Sequence, residues 1–321
     1  MGTFVGHVVP GLALAFLGLW HTINTIHLYY LKGSTKFILR FWYPFRSPVR
    51  KLEHLELILV LSFSILAILV QILDPRYLHF SFELDNIEHA TMFLQLVIFT
   101  TFTLFSELNH LSEKTLCVSG ILVASVFGQE LFLLHYHSTD HVGLEGHYHW
   151  LMQLIVCVSF LAAIYATTSP TSLPAALVLS TSVVFQGCWF INMGFMLWLP
   201  NFVPRGCVTQ TTNLSNGTVN GAVICGTHEA DLRARALANL QFCWILSSIL
   251  IFMASICIAF GRRWTARRQS EYEQLPCPGS RDNTLTAGGF KQIQLMFLSC
   301  CYTVLPAGYY MVCYSLSGIG S

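Results

Sequence analysis

Residues 128–153 read GQELFLLHYHSTDHVGLEGHYHWLMQ. Two apolar segments meet here across a short polar turn, and the stretch carries His135, His137, His141, His147 and His149. A connection this short makes the flanking segments antiparallel neighbours at their adjoining ends. Glu130 lies inside the first apolar segment, and an ionisable group at that depth marks a functional site by default if the segment crosses a membrane.

Composition decides that condition. The 321 residues are 54% hydrophobic and 10% charged, too apolar for an ordinary water-soluble domain. Runs long enough for a helix to cross hydrocarbon, about 20 residues, recur at 6–31, 52–73, 87–106, 115–137, 148–168, 173–199 and 236–260. The expected fold is an all-α, seven-helix membrane bundle over 1–260. Lys and Arg total 17 against 16 Asp and Glu, a net charge of +1. No large field therefore favours nucleic acid; the expected partner is the lipid bilayer, in the endomembrane system or the plasma membrane, and protein partners are not specified.

Orientation follows from where the charges lie. The first run has no basic N-terminal flank and is too long for a cleaved secretory signal, so it reads as a retained span. Lys32, Lys36, Arg40, Arg46, Arg50 and Lys51 crowd the segment after it, which the positive-inside rule places in the cytosol. The N-terminus is then lumenal or extracellular. Arg262, Arg263, Arg267 and Arg268 follow the seventh run and place the start of the tail in the cytosol, in agreement with an odd number of crossings.

Residues 200–235 form a lumenal loop on this reading. Its sequons at Asn213 and Asn216 make the chain a candidate glycoprotein, and Cys207 and Cys225 flank them where disulfides persist. Cys117, Cys157, Cys188, Cys243 and Cys257 lie within spans and read as small buried residues. Residues 261–291 hold Pro276, Pro278, Gly279, Gly288 and Gly289 and read as a cytosolic linker. The apolar 292–314 stretch of the 292–321 tail, interrupted by Pro306 and Gly308, reads as an interfacial or docked segment.

Histidine gathers at the lumenal ends of four spans. Glu130 and His137 are seven apart and share a helix face within about 20 degrees. His147 and His149 open the fifth run, with Gln153 one turn below His149. His7 opens the first run; Asp85, Glu88 and His89 open the third. No run contains Lys or Arg in its interior, so a charged Glu130, costing about 2.5–3.5 kcal/mol on insertion scales, needs histidine, a proton or a metal. Imidazole with carboxylate is the donor set of zinc and of non-haem iron or manganese. The expected ligands are His7, His89, Glu130, His137 and His149. Asp85, Glu88, His135, His141, His147 and Gln153 would support them from the surrounding shell. A second polar set, His21, Glu53, His54 and Glu56, lies at the cytosolic side and reads as mainly structural. The tryptophans, mostly near span ends, read as an interfacial belt.

Further matches extend this pattern: MGTFVGHVVPGLALAFLGLWH from residue 1, LEHLE from 52, EHATMF from 88 and FQGCWFINMGFMLWLP from 185. With the 128–153 stretch they resemble the transmembrane protein 45 family, most closely its plant, viral-response-type branch, over about residues 1–260. The resemblance implies a seven-helix membrane protein and carries over His7, Glu53, Glu56, His89, Glu130, His137 and His149 as the family's polar pattern. It brings no reaction with it.

Four functions fit the residues. One is a metal-dependent hydrolase of a lipid amide or ester, with water as nucleophile and Glu130, Asp140 and Glu145 as candidate catalytic groups, the latter two as general base. The others are a proton-linked carrier, a haem protein with histidines as axial ligands, and a structural or trafficking protein whose histidines tie helices together.

Overall fold

The computed structural model describes residues 3–45, 53–73, 84–136, 143–214 and 217–273. Seven helices long and apolar enough to span a membrane run through them: α1 Phe4–Lys32, α2 Leu55–Ile72, α3 Leu84–Leu108, α4 Ser112–Tyr136, α5 Gly143–Thr168, α6 Leu173–Trp198 and α7 His228–Glu273. The seven-helix expectation is thus met. Two compact units divide the chain, Met1–Ala238 and Asn239–Ser321.

In the first unit the helices neighbour one another in the order α2–α3–α4–α5–α6–α1. Caps fix several ends. The Thr3 hydroxyl accepts from the Gly6 N–H at the start of α1, and the Ser172 hydroxyl accepts from Ala175 at the start of α6, each satisfying a donor without an intrahelical acceptor. Gly33, at φ 77, ends α1 with its N–H on the Tyr29 carbonyl.

The closest packing joins α1 to α6, and its geometry is written in glycines seven apart. Gly11 lies against Gly187 and Ile191, Gly18 against Ser180 and Val184, and Gly194 against Phe4, His7 and Val8. Rising numbers on α1 meet falling numbers on α6, so the two helices run antiparallel. A Cβ on Gly187 would lie 2.3 Å from the Ala15 nitrogen and 2.6 Å from the Gly11 carbonyl oxygen. The two backbones therefore touch directly, the close approach that small residues permit inside a bilayer.

At the Lys32 end, the segment after α1 does not remain a surface loop. Phe37, Leu39, Phe41, Trp42 and Tyr43 are all buried. The Leu39 N–H donates to the Pro170 carbonyl in the α5–α6 turn, and Phe41 lies over Gly120 of α4. This aromatic plug closes that end of the first unit.

The 200–235 region is structured, which the sequence reading as a loop did not anticipate. Cys207–Leu214 (β1) and Gly217–Cys225 (β2) form an antiparallel hairpin with Cys207 opposite Cys225 and an irregularity between Thr209 and Thr211. Cys207 and Cys225 are disulfide-bonded. Strand β2 packs on α5 and α6, and α7 begins immediately beyond it. Arg235 bonds Asp231 one turn back and donates to the Gly143 carbonyl at the start of α5.

The described part of the second unit is the remainder of α7. Ser247, Ser248 and Ser255 each donate to the carbonyl four residues back, so their hydroxyls are satisfied within the helix itself. Helix α7 continues to Glu273, through residues 261–273 that the sequence reading assigned to a linker. Arg, Gln, Glu and Ala carry the helix on at little cost, and the first proline is Pro276. The calls on 274–321, including the apolar 292–314 stretch, lie outside the described residues.

Candidate functional site

Two polar centres emerge in the first unit, one at each end. At the N-terminal end of α1, His7 and His149 face each other from α1 and α5 with ring centroids 6.2 Å apart and planes 77° to one another. They are 6% and 8% exposed. Each ring is held the same way: the His7 Nδ1 lies 3.0 Å from the Thr3 carbonyl oxygen, and the His149 Nδ1 lies 3.0 Å from the Glu145 carbonyl oxygen. A carbonyl only accepts, so both Nδ1 atoms carry a proton, which in a neutral imidazole puts the lone pair on Nε2. Fixing a tautomer through a backbone carbonyl is how metal-ligating histidines are oriented.

Helix α6 builds the wall of this centre. Gly194 lets α6 approach the His7 Cβ, and one turn later Trp198 stacks on the His7 ring, centroids 4.2 Å apart. Phe190 flanks His7 at 5.9 Å. One layer inward, fully buried Tyr148 stacks on Trp189, whose Nε1 donates to the Tyr148 carbonyl at 3.1 Å. That bond locks α5 to α6 next to His149.

Other residues of the expected site have other roles or positions. Among the described residues no group of three or more His, Cys, Asp or Glu side chains is placed to hold one ion, so no three of the described members His7, His89, Glu130 and His149 come together. The helix order accounts for it: α3, carrying His89, packs between α2 and α4, whereas His7 rides on α1 against α6. Glu130, on α4, is half-buried and makes no hydrogen bond or ion pair among the described residues. Its neighbour Gln129 donates to the Thr91 carbonyl and ties α4 to α3. His135 is exposed and its Nδ1 donates to the Gln153 amide oxygen, while the Gln153 amide donates to the Leu134 carbonyl. These two residues therefore clasp α4 to α5. His147 stacks on Trp150. Glu145 contributes its carbonyl to His149, and Glu88 is half-buried at the start of α3. His137, Asp140 and His141, with the side chains of Asp85, Asn213 and Asn216, lie outside the described residues.

The second centre surrounds Glu56. Its carboxylate accepts from the Trp20 Nε1 at 2.8 Å, the His21 Nε2 at 2.7 Å and the Tyr43 backbone N–H at 2.8 Å. One side chain at the start of α2 thus gathers α1 and the aromatic plug. Trp42 stacks on His54 and donates to Glu107 of α3 at 2.7 Å, and the Glu53 carbonyl accepts from the Phe45 N–H. The Tyr43 hydroxyl pairs with Thr25. Burial pushes the Tyr43 phenol up from 10.0 to about 12, against the hydrogen bond with Thr25, which favours the ionised form.

Sequence reasoning missed Trp198, Phe190 and the Tyr148–Trp189 pair as elements of the His7 centre. Trp198 read as one more interfacial tryptophan. The available signal was its place four residues after Gly194, itself seven after Gly187, which puts all three close to one face of α6.

Residues 117–258 match the profile of a family described as "Family of unknown function (DUF716)". The chain is 25% identical over 214 residues to Transmembrane epididymal protein 1 of Rattus norvegicus, a match that covers 62% of this chain and 68% of that protein. It is 26% identical over 215 residues to Transmembrane epididymal protein 1A of Mus musculus, with the same shares. These names and the seven spans agree on a multi-pass membrane protein in a lipid bilayer.

Proposed function

We propose that this multi-pass membrane protein holds a transition metal ion, zinc or else iron or manganese, between His7 and His149, on the lumenal or extracellular side. The observation that carries the reading is the facing pair itself: two buried imidazoles from different helices, each with Nδ1 tied to a backbone carbonyl. Two imidazoles sharing one tetrahedral ion through bonds of about 2.0–2.1 Å have ring centres about 5 Å apart; the 6.2 Å between His7 and His149 is about 1 Å wider, so the two rings would draw together on binding. Bound there, such an ion supplies Lewis-acid chemistry. Hydrolysis of an amide or ester in a lipid-like substrate is the reaction class that suits a Lewis acid at a membrane boundary. The buried plug at the Lys32 end favours this one-sided site over a proton path across the membrane. Membership of the transmembrane protein 45 family, in its plant, viral-response-type branch, is part of the proposal and rests on the motifs quoted above.

Elemental analysis and an absorption spectrum of protein purified without chelator test it. Wild type should carry a stoichiometric metal that His7→Ala and His149→Ala lose. His110→Asn should retain it, since His110 is exposed and asparagine tolerates its φ of 55°. A Soret band would replace this reading with haem, and metal-free wild type of normal fold would leave the histidines as helix ties.

A further inference from the structure

Helix α7 runs on past its apolar run, through GRRWTARRQSEYE at 261–273. One pattern occurs twice there, five residues apart: Arg262-Arg263-Trp264-Thr265 and Arg267-Arg268-Gln269-Ser270. In each, two arginines precede a hydroxyl residue by three and two positions. Guanidinium groups in that register suit a protein kinase whose peptide-binding groove is lined with carboxylates, because an arginine pairs with a carboxylate through two parallel bonds. Kinases discriminate their substrates by charge patterns of this kind. The pattern fits Thr265 and Ser270 equally; the helix separates them.

Counted from Phe260, the end of the apolar run, a rise of 1.5 Å per residue puts Thr265 about 7–8 Å out and Ser270 about 15 Å out. The headgroup layer of one leaflet is about 5–8 Å deep, and a tilt of about 20° shortens both heights by less than a tenth. Thr265 and its arginine pair therefore sit at headgroup level, where a kinase cannot enclose them. Arg267, Arg268 and Ser270 stand clear of the lipid. A kinase groove takes its peptide extended, so the helix must open locally. Ser270 belongs to the last turn of α7, which holds Glu271 and Glu273 and no basic residue. Carboxylates at the negative end of the helix dipole weaken that turn, and helix ends open at little cost.

We propose that Ser270 is a phosphorylation site for a basophilic serine/threonine kinase of the cytosol, with Arg267 and Arg268 as the recognised pair, and that the bilayer withholds Thr265 from the same enzyme. The positive-inside rule places the segment in the cytosol, and no metal is involved. The Ser270 hydroxyl oxygen attacks the γ-phosphorus of ATP. The new O–P bond forms as the bond to the ADP oxygen breaks, and the hydroxyl proton passes to the catalytic aspartate of the kinase. Four arginines against Glu271 and Glu273 leave 261–273 at net +2. The phosphate adds about −1.5 to −2 and brings the segment close to neutral, which weakens its attraction to the anionic cytosolic leaflet.

The test uses the full chain in sealed microsomes, which carry their cytosolic face outward. Magnesium-ATP and the catalytic subunit of cyclic-AMP-dependent protein kinase are added outside, and peptide mass spectrometry locates the phosphate. Ser270 should be modified in wild type, and Thr265 should not. Replacing the pair together, Arg267→Gln with Arg268→Gln, keeps helix propensity and leaves Arg262 and Arg263 to hold the orientation. That double variant should lose Ser270 modification by about tenfold or more, the loss expected for charge-assisted pairs. An unmodified Ser270, Thr265 modified to the same extent, or a Ser270 phosphate undiminished in the double variant overturns the proposal. Where the double variant fails to insert, the contrast between Ser270 and Thr265 in wild type decides.

Discussion

Placing one methyl group on Gly187 tests whether the α1–α6 contact builds the His7 centre. In Gly187→Ala the new Cβ falls 2.3 Å from the Ala15 nitrogen and 2.7 Å from the Ala15 Cα. Ordinary contact begins at 3.4 Å, so the helices must separate by about 1 Å, and the obstructing atoms are backbone that cannot rotate away. Overpacking of this kind costs about 1–3 kcal/mol. Alanine returns at most about 1 kcal/mol in helix propensity. Gly128→Ala on α4 provides the contrast: its Cβ would meet only the Phe160 ring, at 3.0 Å, and a side chain can shift, so propensity leaves it neutral or slightly stabilised. The assay is the apparent melting temperature in one detergent, read with metal content. Gly187→Ala should melt several degrees lower and lose metal, because His7 moves with α1 relative to His149. Gly128→Ala should do neither. If Gly187→Ala matches wild type in both, the helices do not meet backbone to backbone and the His7–His149 geometry falls with them.

Other outcomes follow from the Lys32 end and the hairpin. Glu56→Ala leaves the Trp20, His21 and Tyr43 donors without their shared acceptor. Each costs about 1–3 kcal/mol if left unmade, so thermal stability should drop far more than in Glu56→Gln, which keeps one acceptor oxygen; equal loss would deny the carboxylate its role. Tyr43, raised from 10.0 to about 12, should contribute its full stability below pH 10 and lose up to about 2–3 kcal/mol as pH climbs from 10 to 12. The alkaline arm of unfolding, compared with Tyr43→Phe, would then show a difference that shrinks across that window, and a constant difference would reject it. Cys207 and Cys225 close a loop of sequence separation 18, which stabilises by about 3 kcal/mol in the chain-entropy model. Thiol labelling of denatured, unreduced protein should find neither. Substituting Asn213 and Asn216 by glutamine should raise gel mobility after expression in a glycosylating host, and protease protection of an unglycosylated 200–235 region on the cytosolic side would invert the orientation.

The seven spans were legible because crossing a bilayer needs only length and apolarity, which a linear sequence displays directly. The hairpin was less so: Thr-rich, polar CVTQTTNL reads as a loop unless the Asn216-Gly217 pair between β-branched stretches is taken as a turn signal. Partnership between α1 and α6 is set by shape across about 140 residues of intervening chain, and glycines seven apart are common enough in spans to pass unnoticed. His7 and His149 were therefore grouped from the sequence in one expected ligand set, but the α1–α6 contact beside them was not visible, and neither was the change of Trp198 from boundary tryptophan to a ring stacked on His7. Glu56 was visible only as one member of the polar set at the Lys32 end; that its carboxylate takes three N–H donors from α1 and the plug was not legible, because the partners lie 13 to 36 residues away along the chain.

X-ray absorption at the metal edge of the purified wild-type protein addresses the central claim most directly. The claim predicts light-atom scatterers at about 2.0–2.1 Å with the outer-shell pattern of two imidazoles, reduced to background in the His7→Ala, His149→Ala double variant. A first shell of sulfur, or the same two-imidazole pattern surviving in the double variant, would contradict it.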